Sequence, residues 1–194
     1  MTVSGQAAPS LQNVIARFGG VDAARGKPPV HLWNPPFCGE IDMRIARDGS
    51  WHYMGSPIRR PALVKLFSGI LRREPDDSYV LVTPVEKCGI RVDDAPFLAV
   101  EMTVAGAGDD RLIAFRTNVD DVVPLDGEHP LRVETDPETG EPSPYVRVRD
   151  GLDALIARPV FYELVDLAEE YREDGRRRLG LRSGGRFFVL GDAE

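Results

Sequence analysis

Cysteine is nearly absent: Cys38 and Cys88 are the only two in the chain, too few for a disulfide framework. Both are expected as buried thiols in a reducing compartment, behaving as small hydrophobes. Histidine is also sparse, and His31, His52 and His129 form neither a His-Glu-x-x-His pair nor a partnership with a Cys-x-x-Cys motif, so zinc is not expected. No apolar run approaches the roughly 18 residues needed to span a bilayer. The opening stretch, Met1 to Gly20, has neither a basic leader nor a continuous apolar segment, and the expectation is a soluble cytoplasmic protein. Positive charge is in deficit as well, with 24 Lys and Arg against 31 Asp and Glu and a net charge of -7. Such a surface repels phosphate backbones as a whole, which argues against a nucleic acid partner.

What is present is ordinary globular material. Apolar residues make up 42% and charged residues 28% of 194 positions, enough for one large domain or two small ones, each with a core. Ser10 can cap a short amphipathic helix over Leu11 to Phe18, closed by Gly19-Gly20. The prolines of Lys27 to Gly39 forbid a helix or a central strand, so that segment reads as an apolar loop. Alternation over Ile41 to Ala46 and Ser50 to Met54 around Asp48-Gly49 predicts a β-hairpin. Pro61 opens a helix with Leu63, Leu66, Phe67, Ile70 and Leu71 along one stripe, and a short strand follows at Tyr79 to Thr83. From Val85 to Arg149 the pattern is that of antiparallel strands joined by Asp, Gly and Pro. Asp150-Gly151 predicts a second hairpin, Pro159 a second helix through about Tyr171, and Arg186 to Leu190 a closing strand.

The elements repeat. Arg47-Asp48-Gly49, Ile58-Arg59-Arg60-Pro61, Leu66 and the strand Tyr79 to Val82 recur in order as Arg149-Asp150-Gly151, Ile156-Ala157-Arg158-Pro159, Leu164 and the strand Phe187 to Leu190. The fold class that follows is α+β, mainly antiparallel sheet, with two similar small domains built from a duplicated hairpin-helix-strand unit. The boundary is expected near Pro84, giving domains 1–83 and 84–194.

These strings, with Trp33-Asn34-Pro35-Pro36-Phe37, Leu81 to Lys87, Asp94-Ala95-Pro96-Phe97, Phe115-Arg116-Thr117-Asn118 and Ser183-Gly184-Gly185, resemble the bacterial family called domain of unknown function 1285. The likeness runs over nearly the whole chain. It implies a duplicated two-domain fold, a C-terminal domain superficially like pleckstrin-homology domains, and a nucleotide-like ligand at the domain interface in a signalling role. It carries over no catalytic residue.

Other constellations favour structure over chemistry. The acidic pairs Asp76-Asp77, Asp93-Asp94, Asp109-Asp110 and Asp120-Asp121 sit where turn chemistry favours aspartate. Ser56 and Ser183 lack a nucleophile elbow. Cys88 and Lys87 are adjacent, which on a strand points them to opposite faces. Gly106-Ala107-Gly108 lacks the remainder of a dinucleotide fingerprint and reads as a hairpin loop. Arg172, Arg176, Arg177, Arg178, Arg182 and Arg186 follow the second helix, where cations complement the negative end of its dipole.

Two features point to a ligand. Arg60 and Arg158 each precede a helix-opening proline, where a guanidinium beside exposed amides suits an anion; alternatively each turns to an internal acid such as Glu86 or Glu163. The Trp33 to Cys38 loop is either an aromatic lid or a cover packed on the hairpin carrying Trp51. The reading that emerges is a non-catalytic protein whose interdomain cleft takes a small anionic, nucleotide-like molecule. Its candidate contacts are Trp33, Asn34, Arg59, Arg60, Lys87, Asn118, Arg147 and Arg158. No cofactor is specified. A protein-interaction adaptor using a sheet edge or a helix groove is the alternative, with a hydrolase of phosphate-containing metabolites behind it.

Overall fold

The computed structural model describes residues 27–173 and 175–192; the helix expected over Leu11 to Phe18 lies outside them. By their internal contacts the residues group into two compact units. The N-terminal unit holds the described residues up to Arg44 and Ser50–Arg91, and the C-terminal unit holds Ile45–Gly49 with everything from Val92 onward. The strand after Pro84 hydrogen-bonds to Tyr79–Val82, so it belongs to the N-terminal sheet, and the division falls between Arg91 and Val92.

In the N-terminal unit, apart from the last residue of β1 and of β6, β1 (Phe37–Ile45), β2 (Trp51–Tyr53), β3 (Ser56–Pro57), β4 (Leu71–Arg73), β5 (Tyr79–Val82) and β6 (Lys87–Val92) form one sheet in the order β3-β2-β1-β6-β5-β4. Helix α1 (Pro61–Gly69) begins with proline at its first position, where no amide is needed, and buries Phe67, whose ring stacks on Trp51 at 6.2 Å. The helix is shorter than its apolar stripe suggests. Leu71 leaves it to pair with Leu81, because the run Ile70-Leu71 satisfies a strand as well as a helix. A 3-10 turn at Val30–Leu32 places Val30 on Val80 and Val82, with Trp33 packed beside them.

The C-terminal unit contains β7 (Phe97–Ala105), β8 (Leu112–Thr117), β9 (Val122–Pro124), β10 (Leu131–Thr135), β11 (Pro142–Arg149) and β12 (Leu152–Ile156), ordered β10-β11-β12-β7-β8-β9. All its pairings are antiparallel except β12 with β7. Asp150 and Gly151 both take positive φ, 42° and 78°, the backbone of a tight hairpin turn between β11 and β12. Helix α2 (Arg158–Asp166) buries Val160 and Leu164. It stops five residues short of Tyr171, which belongs to β13 (Glu169–Glu173). With β14 (Arg176–Ser183) and β15 (Arg186–Asp192) that strand makes a separate three-stranded sheet. The arginine-rich segment is therefore a β-meander rather than a helix end; Arg172 and Arg177 stand directly opposite across it.

Both units thus run hairpin, proline-opened helix, three-stranded meander. In the first the meander joins the hairpin in one sheet, and in the second it stands alone. Element order corrects the repeat alignment: the counterpart of β5 is β14, and the strand containing Phe187 to Leu190 answers to β6. Cys88 is buried as expected, whereas Cys38 is exposed, since it lies in the open first residues of β1.

Candidate functional site

An open cleft of about 730 Å³ lies in the C-terminal unit, at the start of β11, the end of β12 and the first turns of α2. Its apolar floor comes from Leu98, Pro144, Leu155, Ile156 and Phe161, with Tyr162 exposed at the rim. Leu98 and Leu155 stand in register across β7 and β12 and so share a face, and the three-residue step of the helix sets Phe161 beside Arg158. Four charged side chains line it: Arg47 and Asp48 from the hairpin turn, Glu141 ahead of β11, and Arg158 at the first position of α2.

Those charges are partly committed. Arg47 lies 3.2 Å from a carboxylate oxygen of Asp94 and donates to the Ser143 hydroxyl at 2.9 Å. Asp94 in turn accepts from the Tyr145 hydroxyl at 2.8 Å. Burial, then the hydrogen bond and charge of Asp94, push the Tyr145 phenol above its ordinary value. Arg158 pairs with Glu141, and both side chains are more than half exposed, at 66% and 54%. Its partner is thus neither Glu86 nor Glu163. It is also the first helical residue, Ala157 being the cap, and no side chain caps that turn.

Of the eight residues selected by sequence, Arg158 alone lines this cleft. Asn118 is half-buried, accepting the Leu98 amide and donating to the Gly49 carbonyl, each at 3.0 Å. Arg147 is held by Asp153 at 2.5 Å, an acid that Arg132 also reaches at 3.2 Å. In the N-terminal unit Trp33 and Lys87 converge on one network. Glu74 accepts from Lys87 at 2.9 Å and from Arg72 at 2.6 Å, and Arg72 donates to the carbonyls of Val30 and Trp33. Trp33 packs on Val30, Val80 and Val82. Asn34, Arg59 and Arg60 are exposed, and neither arginine ion-pairs with a described residue.

The residues missed were Arg47, Asp48, Glu141, Ser143, Phe161 and Tyr162. Their one visible signal in the sequence is Arg47-Asp48-Gly49, which marks the repeat. Among the described residues no group of three His, Cys, Asp or Glu side chains gathers as metal ligands do. No described helix is long and apolar enough to cross a membrane.

Residues 28–95 match the model of the DUF1285 N-terminal domain and residues 96–190 that of the DUF1285 C-terminal domain, both described as of unknown function. The chain belongs to the DUF1285 family. A crystal structure of a DUF1285 family protein from Silicibacter pomeroyi DSS-3 is 55% identical, with a TM-score of 0.85, covering 93% of this chain and 95% of that one. A second DUF1285 family protein, from Shewanella baltica OS155, is 28% identical with a TM-score of 0.50, covering 64% of this chain and 90% of that one. No curated protein matches the chain.

Proposed function

We propose that this DUF1285 protein is a non-catalytic, cytoplasmic ligand-binding protein with a signalling role. Its C-terminal unit takes a small anionic molecule, nucleotide-like in size, in the cleft beside the start of α2. The observation that carries the reading is the lining itself: two guanidinium groups, Arg47 and Arg158, at the edge of an apolar and aromatic floor in a volume of about 730 Å³. That volume falls in the range of small-molecule sites, and such floors with few polar groups bind and orient organic ligands. The pleckstrin-homology-like character of this unit belongs to the same proposal, supported by two mainly antiparallel sheets accompanied, among the described residues, by one α-helix.

Calorimetric titration of the full chain tests it, using a panel of nucleotides, sugar phosphates and organic acids at up to millimolar concentration. At least one member is expected to bind with unit stoichiometry, and Arg158→Ala is expected to weaken it by about tenfold, the loss of one charge-assisted contact. Silence across the panel, or binding indifferent to Arg158, would retire the proposal.

A further inference from the structure

Resting on the cleft as a binding site, we infer that its ligand is a monocarboxylate with an apolar or aromatic body, admitted by displacing Glu141 from Arg158. The lining charges decide the class. Arg47 and Arg158 are balanced by Asp48 and Glu141 within the same lining, so the cleft offers no surplus positive field for a polyphosphate. Arg47 is already engaged by Asp94 and Ser143. The cation left to a newcomer is Arg158, whose partner Glu141 is itself a carboxylate in the lining. That pair is largely solvated, so exchanging one carboxylate for another costs little.

Glu141 is thus an internal mimic of the ligand's acidic group. Its side chain enters no other hydrogen bond or ion pair with a described residue, while its backbone is fixed by the Asp136 turn. Beyond Arg158 the lining is largely apolar: Leu98, Leu155 and Phe161 present no polar side-chain atom. Ser143 is the only neutral aliphatic hydroxyl in the lining, and it already accepts from Arg47. A nucleobase would find few partners for its polar edges there, and buried polar groups left unpaired weaken binding. A hydrocarbon or phenyl body leaves none.

The test is calorimetric titration of the full chain with 4-phenylbutyrate and decanoate, and with 4-phenylbutanol, ATP and inorganic pyrophosphate as comparators. The two acids are expected to bind, with 4-phenylbutanol about tenfold weaker for want of the charge-assisted contact. Glu141→Gln is expected to tighten the acids by roughly threefold or more, since the competing carboxylate is gone, and Arg158→Ala to weaken them by about tenfold. Arg176→Ala, an exposed cation outside the cleft, is expected to leave them unchanged. If ATP or pyrophosphate binds in an Arg158-dependent way and the acids do not, the ligand class is wrong while the binding site stands. Acids that bind equally well to Arg158→Ala, or more weakly to Glu141→Gln, overturn the displacement. If no probe binds, this inference and the site itself fall together.

Discussion

Asn118 holds the Gly49 carbonyl by its side-chain amide at 3.0 Å, although the two stand 69 positions apart in the chain. The same side chain accepts the Leu98 amide, so one amide joins the Asp48-Gly49 turn to the strand that contributes to the cleft floor. Gly49 has φ +80°, and a Cβ there would meet the Asn118 Nδ2 at 2.7 Å and the Leu98 Cβ at 3.2 Å. Backbone strain and crowding act together, so Gly49→Ala is expected to cost about 2–3 kcal/mol. Asn118→Ala, which removes both hydrogen bonds without the strain, is expected to cost about 1–2 kcal/mol. Urea unfolding followed by circular dichroism measures both. If Gly49→Ala proves the milder change, the turn is not under the constraint described.

Glu74 is the acid on which the N-terminal network turns. Burial alone would raise its carboxyl; the hydrogen bonds from Lys87 and Arg72, with their charges, outweigh burial and hold it below the ordinary carboxylate range. A group depressed in the folded state stabilises fully above its unfolded value of about 4.3 and loses that contribution as pH falls through the lower folded value. Glu74→Gln leaves Arg72 and Lys87 side by side without their acid, both less than one-fifth exposed, and is expected to cost about 2–3 kcal/mol near neutral pH. The gap between wild type and variant, followed by denaturant unfolding, should be flat from pH 8 to pH 5 and close below about pH 4. A gap that widens on acidification contradicts the assignment.

The turns and helix starts were legible in the sequence because their causes are local. Asp150-Gly151 specifies its own backbone, and Pro61 and Pro159 mark helix beginnings within one residue of their observed places. Helix ends were not legible. Leu71 and Tyr171 fit a helical stripe as well as a strand, and what decides them is pairing with Leu81 and Arg178, a non-local fact. The cleft was not legible for the same reason. Arg60 and Arg158 stood out as local oddities of equal rank, yet Glu141 pairs with Arg158, and only the fold brings Arg47 to the same lining. Lys87 and Arg147 were sound choices by charge, but Glu74 and Asp153 already hold them, and sequence spacing does not reveal a cross-strand partner.

Ser183, which lacks a nucleophile elbow in the sequence, has a structural task in the C-terminal unit. It is fully buried; its hydroxyl accepts the Ile113 amide at 2.9 Å and donates to the Leu125 carbonyl at 2.7 Å. The Leu125 amide donates back to the Ile113 carbonyl at 2.7 Å, so the hydroxyl closes a three-point joint between β14, β8 and the residue after β9. Ser183→Ala strands one backbone donor and one acceptor away from water, at a cost of about 2–4 kcal/mol. The decisive reading is local: amide exchange at Ile113 should accelerate by more than the global loss of stability explains, because its hydrogen bond partner is the atom removed. An Ile113 amide that stays as protected as its strand neighbours would show that another group satisfies it, and the joint would then rest on packing rather than on the serine hydroxyl.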